Sequence, residues 1–178
     1  LALVAGGALL GLADGTALGA ATKDTDIARL AATAELLAID FYERAIASRR
    51  FRGDELGYLQ AALGNERAHY RTLAGLLGSS APSGLAFRYP PGAFGSRKAI
   101  GTLGSALETA FVGAYLGAVT SLRSNDLKGV AARIGANESR HLSVLSNIAA
   151  GAIVPAPAFP KPLTGRQATK AVTPFLAS

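Results

Sequence analysis

Two histidines occur in the whole chain, His69 and His141, and each closes a Glu-x-x-His motif: Glu66 to His69 (ERAH) and Glu138 to His141 (ESRH). Two further glutamates, Glu35 and Glu108, open the stretches ELLAIDFY and ETAFVGAY, 31 and 30 residues ahead of those motifs. Residues three apart on a helix point the same way, so each motif offers a carboxylate and an imidazole to one point. A carboxylate can bridge two divalent ions, and a neutral imidazole holds one. Four glutamates and two histidines would therefore surround two dications with a nearly neutral shell. Without cations, four carboxylates at one depth of an apolar core could not all ionise. The expectation is a dinuclear metal site made of Glu35, Glu66, His69, Glu108, Glu138 and His141.

The pattern is an internal repeat with an offset of 72 or 73 residues. Each lone glutamate is followed seven residues later by a tyrosine, Tyr42 or Tyr115, and each Glu-x-x-His is preceded by an asparagine, Asn65 or Asn137. Only six glutamates occur in the chain, and four of them are in the pattern. Tyr42 and Tyr115 lie two turns from Glu35 and Glu108 on the same faces. They are the candidate catalytic residues, able to hydrogen-bond ligating carboxylates or to relay an electron as an oxidant is reduced; ordinary core packing is the competing role. Tyr70, beside His69, is ambiguous. Asn65 and Asn137 are expected to point away from the metal if the glutamates point inward, and to make packing contacts or inter-helix hydrogen bonds. Arg67 and Arg140 either neutralise charge around the site or are solvated.

Four helices must position these groups. The first is expected from an N-cap at Asp24 or Thr25 to about Arg50, with Gly53 ending it and Asp54 capping the second. The second runs to Gly78, the third from about Ser96, and the fourth from a cap at Ser124 or Asn125 to Gly151. Each shows an apolar stripe at spacings of three and four. Gly101, Gly104, Gly113 and Gly117 lie inside the third helix, and close helix contact rather than breakage is the expectation for them. Residues 78–95 carry Pro82, Pro90 and Pro91 and cannot be helical. Their extended reach exceeds the length of a helix, so they can cross the bundle from end to end, with Phe87, Tyr89 and Phe94 covering a seam. Residues 152–178, with five prolines, are expected to be extended, with a turn of helix at most over 167–172.

Composition narrows the chemistry. The 178 residues contain no cysteine, which excludes disulfides, thiolate nucleophiles, iron-sulfur clusters and Cys-bearing zinc sites. The net charge is +6, but the basic residues are spread out, Arg49, Arg50 and Arg52 being the only tight group. No nucleic-acid partner is expected. With 12 acidic residues, four of them committed to the centre, little acidic surface is left to line a bulk iron store.

Residues 1–23 form an apolar segment. Its first 13 residues, Leu1 to Ala13, are too few to span a bilayer and suit the hydrophobic part of an export signal, with small residues at Ala17 to Ala21 for cleavage. The alternative is an apolar arm that packs on the bundle or on a neighbouring subunit. The domain organisation expected is thus this segment, a bundle over 24–151 and a tail over 152–178. The absence of an initial Met leads to the expectation that residue 1 is not the translated start. An exported or envelope location, with membrane proximity through residues 1–21, is the first expectation and a cytoplasmic one the second.

Glu, Glu-x-x-His, Glu, Glu-x-x-His on four helices resembles the ferritin-like di-iron carboxylate superfamily, over about residues 25–150. The resemblance implies an all-α four-helix bundle with one long crossover between helices two and three. It also implies Glu35 and Glu108 as terminal carboxylates, Glu66 and Glu138 as bridging ones, and His69 and His141 as imidazole ligands to two Fe ions, or alternatively two Mn ions. Tyr42 matches the tyrosine that ferritins and rubrerythrins place seven residues after the first ligand. The apolar leader and proline-rich crossover and tail look most like the exported bacterial ferritin-like and desiccation-related proteins. Two departures bear on this. The cysteine-ligated rubredoxin module of rubrerythrins is absent, and His141 is closer to the rubrerythrin, bacterioferritin and manganese catalase type than to storage ferritins. The function implied is an oxidoreductase acting on dioxygen or hydrogen peroxide, ferroxidase- or peroxidase-like. A manganese catalase-like activity and a non-enzymatic, structural or stress-protective role are the alternatives. A homo-oligomer is compatible with the arm and tail.

Overall fold

The computed structural model describes residues 24–177, and the expectations for the apolar segment 1–23 lie outside them. Four long helices and one short one make up the described chain: α1 Asp24–Ala47, α2 Gly53–Leu77, α3 Arg97–Ser121, α4 Asn125–Ala150 and α5 Gly165–Val172. Each boundary has a local cause. Asp24 and Asp26 sit in the first turn of α1, where a negative charge complements the helix dipole. The Asp24 carboxylate also accepts from the backbone N–H groups of Arg123 and Ser124, at 3.0 and 2.9 Å, so the start of α1 holds the turn between α3 and α4. Ser96 and Ser124 cap α3 and α4 by accepting from Ala99 N and Leu127 N. Gly78 and Gly151, at φ of +55° and +70°, end α2 and α4.

The turn between α1 and α2 departs from expectation. Helix α1 stops at Ala47, and Arg49 takes a positive φ of +58° before Gly53 does so at +52°. Gly53 instead opens α2, behind an N-cap at Arg52 whose side chain makes no capping bond, and Asp54 lies in the first turn without capping it.

Two antiparallel pairs build the bundle, α1 with α2 and α3 with α4. Across the pairs, Tyr42 meets Glu108 and Glu35 meets Tyr115. The later residue of α1 thus faces the earlier residue of α3, so these helices run in opposite directions. Since α2 also runs against α1, α2 and α3 are parallel, and residues 81–96 must travel the length of the bundle between them. Along the way Phe87 is buried, Tyr89 Oη donates to Leu37 O at 3.4 Å, and the Phe94 ring lies 5.9 Å from Phe41. All three aromatics thus cover α1. Tyr70 belongs to this connection too, donating to Pro82 O at 2.8 Å.

Glycines set how closely α3 can be approached. A Cβ on Gly101 would lie 2.6 Å from Ala149 N of α4, and one on Gly104 would lie 2.6 Å from Phe41 Cζ. Gly113 and Gly117 serve a different neighbour: both face Leu163, whose N–H donates to Gly113 O at 2.7 Å. The tail is therefore not extended throughout. A capping box between Thr164 and Gln167 starts α5, which packs on α3 and α1. The chain then pairs with the crossover through Phe87 and Leu176. Prolines stop helix formation only up to Pro162; beyond them, Ala168 and Val172 find an apolar surface to bury against. By length and composition α3 could cross a membrane, but half of its apolar window is buried in this bundle.

Candidate metal centre

All six residues of the sequence pattern meet at mid-bundle. Glu35 comes from α1, Glu66 and His69 from α2, Glu108 from α3, and Glu138 and His141 from α4. Glu35, Glu66, Glu108, Glu138 and His141 are each at most 2% exposed. They form two groups, Glu35 with Glu66, His69 and Glu138, and Glu108 with Glu66, Glu138 and His141, and within each group the ligand atoms all lie within 4.8 Å of one another. Glu66 and Glu138 belong to both.

Distances show how the sharing is done. Nδ1 of His69 lies 3.3 Å from Glu35 Oε2, 3.2 Å from Glu66 Oε2 and 3.1 Å from Glu138 Oε1. Nδ1 of His141 lies 2.7 Å from Glu66 Oε1, 3.0 Å from Glu138 Oε2 and 3.8 Å from Glu108 Oε1. Each of the two central glutamates therefore sends one oxygen to the His69 side and the other to the His141 side. Glu35 and Glu108 each serve one side only.

The donor set fits a pair of cations. One buried oxygen on each glutamate, Glu35 Oε2, Glu66 Oε1, Glu108 Oε2 and Glu138 Oε1, has no hydrogen-bond partner. A ring nitrogen carries at most one proton, so the two Nδ1 atoms cannot satisfy this many carboxylate lone pairs. Buried acceptors of this kind are costly unless something positive lies between them.

Protons partly fill that role in the absence of metal. Burial pushes Glu35 and Glu108 well above the usual carboxyl range, and the neighbouring Glu138 charge adds to it. Burial acts on Glu66 in the same direction, but its contacts with both histidines outweigh it and hold the carboxyl down at about 2. Burial alone would lower both imidazoles, yet the surrounding carboxylates push His69 up to about 12 and His141 to about 9.

Tyr42 and Tyr115 are bound to the centre, in a crossed arrangement. Tyr42 donates to Glu108 Oε1 at 2.6 Å and Tyr115 to Glu35 Oε1, so each tyrosine serves the terminal glutamate of the other half. Burial raises both hydroxyls well above the ordinary phenol value. Between α1, α3 and the tail lies an apolar hollow walled by Ala34, Ala110, Phe111, Leu163 and the buried Tyr115.

Two features depart from the sequence reading. Asn65 makes an inter-helix contact as expected, but neither asparagine turns away from the residues of the centre: the Nδ2 atoms lie 3.3 and 3.0 Å from His141 Nε2. Residues four apart share a helix face, so Asn137 reaches His141 although the adjacent Glu138 points inward, and it is the far edge of the imidazole that it meets. Tyr58, a residue outside the repeated pattern, stands edge-on to His141 with ring centres 6.2 Å apart. Its spacing of eight residues before Glu66 was the available signal. Arg67 takes the solvated role, pairing with Glu43 at 2.7 Å on the surface.

A family model described as a ferritin-like domain matches residues 23–151 of the chain. No curated protein matches it at a significant level.

Proposed function

The chain belongs to the ferritin-like domain family, and on that premise we propose that it is a dinuclear metal oxidoreductase of dioxygen or hydrogen peroxide, ferroxidase- or peroxidase-like. One observation carries the reading: Glu66 and Glu138 each divide their oxygens between His69 and His141, while every glutamate of the centre keeps a buried oxygen without a hydrogen-bond partner. In this reading Glu35 and His69 would hold one ion and Glu108 and His141 the other, with Glu66 and Glu138 contributing to both groups. The chemistry that two iron ions, or two manganese ions, would supply there is the electrons that reduce a small oxidant.

The chain's own residues supply the setting. Four carboxylates balance two dications without leaving net charge in the apolar core. Tyr42 and Tyr115 keep Glu108 and Glu35 oriented and hold the nearest hydroxyl protons at Oε1 of each. Packing of Phe41, Leu37, Leu59 and Leu145, all at most 1% exposed, keeps the His141 side of the centre dry, which strengthens its electrostatics. The apolar leader and proline-rich connections support an exported member of the family.

Metal analysis of protein from iron- and manganese-supplemented growth tests this, with a Glu66→Ala, His141→Ala double variant alongside. About two Fe or Mn per chain, one for each residue group, are expected in the wild type and none in the variant. Uptake of dioxygen or peroxide by the loaded protein then separates the enzyme from a bundle that uses metal only to offset buried carboxylates. A wild type that takes up no metal, and is as stable as the variant, would sink the reading.

A further inference from the structure

The repeat in the sequence is symmetric, but the surroundings of its two histidines are not. Asn65 stands four residues before His69, as Asn137 stands four before His141, so a symmetric structure would give each ring the amide from its own helix. Asn137 does meet its own histidine, its Nδ2 lying 3.0 Å from His141 Nε2. Asn65 instead reaches across from α2 to the same Nε2, at 3.3 Å. Among the described residues, the polar contacts of His69 all run from its Nδ1, to Glu35, Glu66 and Glu138, and none reaches its Nε2. Aromatic contacts follow the same bias: the Tyr42 and Tyr58 rings stand edge-on to His141 at 5.8 and 6.2 Å. The His141 side chain is 2% exposed and that of His69 14%.

In both rings Nδ1 faces the carboxylates. A neutral imidazole that gives its Nδ1 lone pair to a cation carries its proton on Nε2, and a buried N–H needs an acceptor. Turning an asparagine amide end for end places Oδ1 where Nδ2 stands and leaves the heavy-atom positions unchanged. Either asparagine can thus accept from His141 Nε2–H. The ring is held from both sides in one tautomer and one orientation. Among the described residues His69 Nε2 has no such acceptor, and its side chain is 14% exposed.

We propose that Asn65 and Asn137 are positioning residues that lock His141 as an Nδ1 ligand and so make the two metal positions unequal, Glu108 and His141 holding the tight ion and Glu35 and His69 the exchangeable one. This rests on the dinuclear reading above. An imidazole already fixed in its ligating orientation loses little freedom on binding, and partners of this kind are worth about 10–100-fold in metal affinity. The His69 ring must give up rotation and water contacts each time it binds, and its exposure gives the second ion a way in and out.

Titration of chelator-treated protein with Co(II), followed by visible absorption and calorimetry, tests the inequality. The wild type should bind in two steps separated by about 10–100-fold. An Asn65→Leu, Asn137→Leu pair, which keeps the side-chain volume but removes the acceptors, should weaken the tight step by that factor and leave the other unchanged. An Asn65→Asp, Asn137→Asp pair, which keeps an acceptor oxygen, should retain the tight step, and it carries the test if the leucine pair fails to fold. A His69→Ala variant should lose the weaker step alone. Two equal steps in the wild type, equal weakening of both steps in the leucine pair, or loss of the tight step in the aspartate pair would overturn the proposal while leaving a dinuclear site. No Co(II) uptake by the wild type would overturn both.

Discussion

Tyr42 Oη donates to Glu108 Oε1 at 2.6 Å, a bond between residues 66 positions apart that joins the first half of the repeat to the second. Its counterpart joins Tyr115 to Glu35 in the opposite sense. Neither tyrosine serves the glutamate seven residues before it on its own helix. Because α1 and α3 are antiparallel, a group two turns along one helix lies level with the start of the motif on the other, and the two hydroxyls close the centre from opposite ends.

Removing one of these hydroxyls leaves a buried carboxylate oxygen without its donor. Tyr42→Phe should therefore destabilise the chelator-treated protein by about 1–3 kcal/mol, read from the midpoint of urea unfolding, with Tyr115→Phe in the same range. Midpoints unchanged in both variants would show that the hydroxyls do not hold the carboxylates.

Stability of the chelator-treated protein should fall as pH rises from mildly acidic to alkaline. Raised histidines contribute fully below their unfolded value of 6.5, and the contribution is lost as pH climbs through about 9 for His141 and about 12 for His69. Glu35 and Glu108, raised by burial, likewise stabilise most below the unfolded value of 4.5, where they keep their protons, and less above it. Glu66 runs the other way: its contribution is present above 4.5 and lost as pH falls through about 2. Linkage makes the first two effects dominate near neutrality. Metal binding expels those protons, so its affinity rises with pH. The increase in melting temperature on loading with Mn(II) should accordingly be larger at about pH 8 than at about pH 5, and an increment that shrinks over that interval would contradict the protonation pattern.

Gly104 and Gly129 should respond in opposite directions to alanine. A Cβ on Gly104 would lie 2.6 Å from Phe41 Cζ and 2.8 Å from Leu145 Cδ1, whereas one on Gly129 meets nothing within 4 Å. Overpacking predicts a loss of about 1–3 kcal/mol for Gly104→Ala. Relief of backbone entropy in a helix interior predicts a gain of about 0.4–1 kcal/mol for Gly129→Ala. Thermal denaturation of the two variants checks both signs.

Gly117→Ala should unseat the tail while leaving the bundle folded. The added Cβ would run into the backbone carbonyl of Leu163, which cannot move without drawing the chain off α3. Limited proteolysis is expected to cut the variant between residues 152 and 164 sooner than the wild type, with helical circular dichroism nearly unchanged. Equal cleavage rates would mean that the tail is held by α5 and the crossover contacts alone.

Helix positions and the membership of the centre were legible in the sequence, because both depend on local rules. Apolar spacing, serine caps and terminal glycines act within one or two turns, and with two histidines and six glutamates in the chain the repeated Glu-x-x-His pattern left few alternatives. The end of α1 was misplaced for a local cause that propensity does not rank: Arg49 adopts a positive φ four residues ahead of Gly53, which does so too. The helix α5 was underestimated because its stability comes from burying Ala168 and Val172 against another part of the chain.

By itself the sequence determined which groups could gather: the stripe that faces inward on each helix, the six candidate ligands, and a crossover too long and too proline-rich to be a helix. Only the tertiary structure decided how they pair. The crossing of Tyr42 and Tyr115 between halves, the splitting of Glu66 and Glu138 between two histidines, and the convergence of both asparagines on His141 depend on the direction and height of one helix against another. A periodic sequence specifies faces, which are properties of a single helix, and it treats the two halves of a repeat alike. Packing four helices with one crossover breaks that equivalence, because Asn65 and Asn137 then meet different neighbours although their local sequences match.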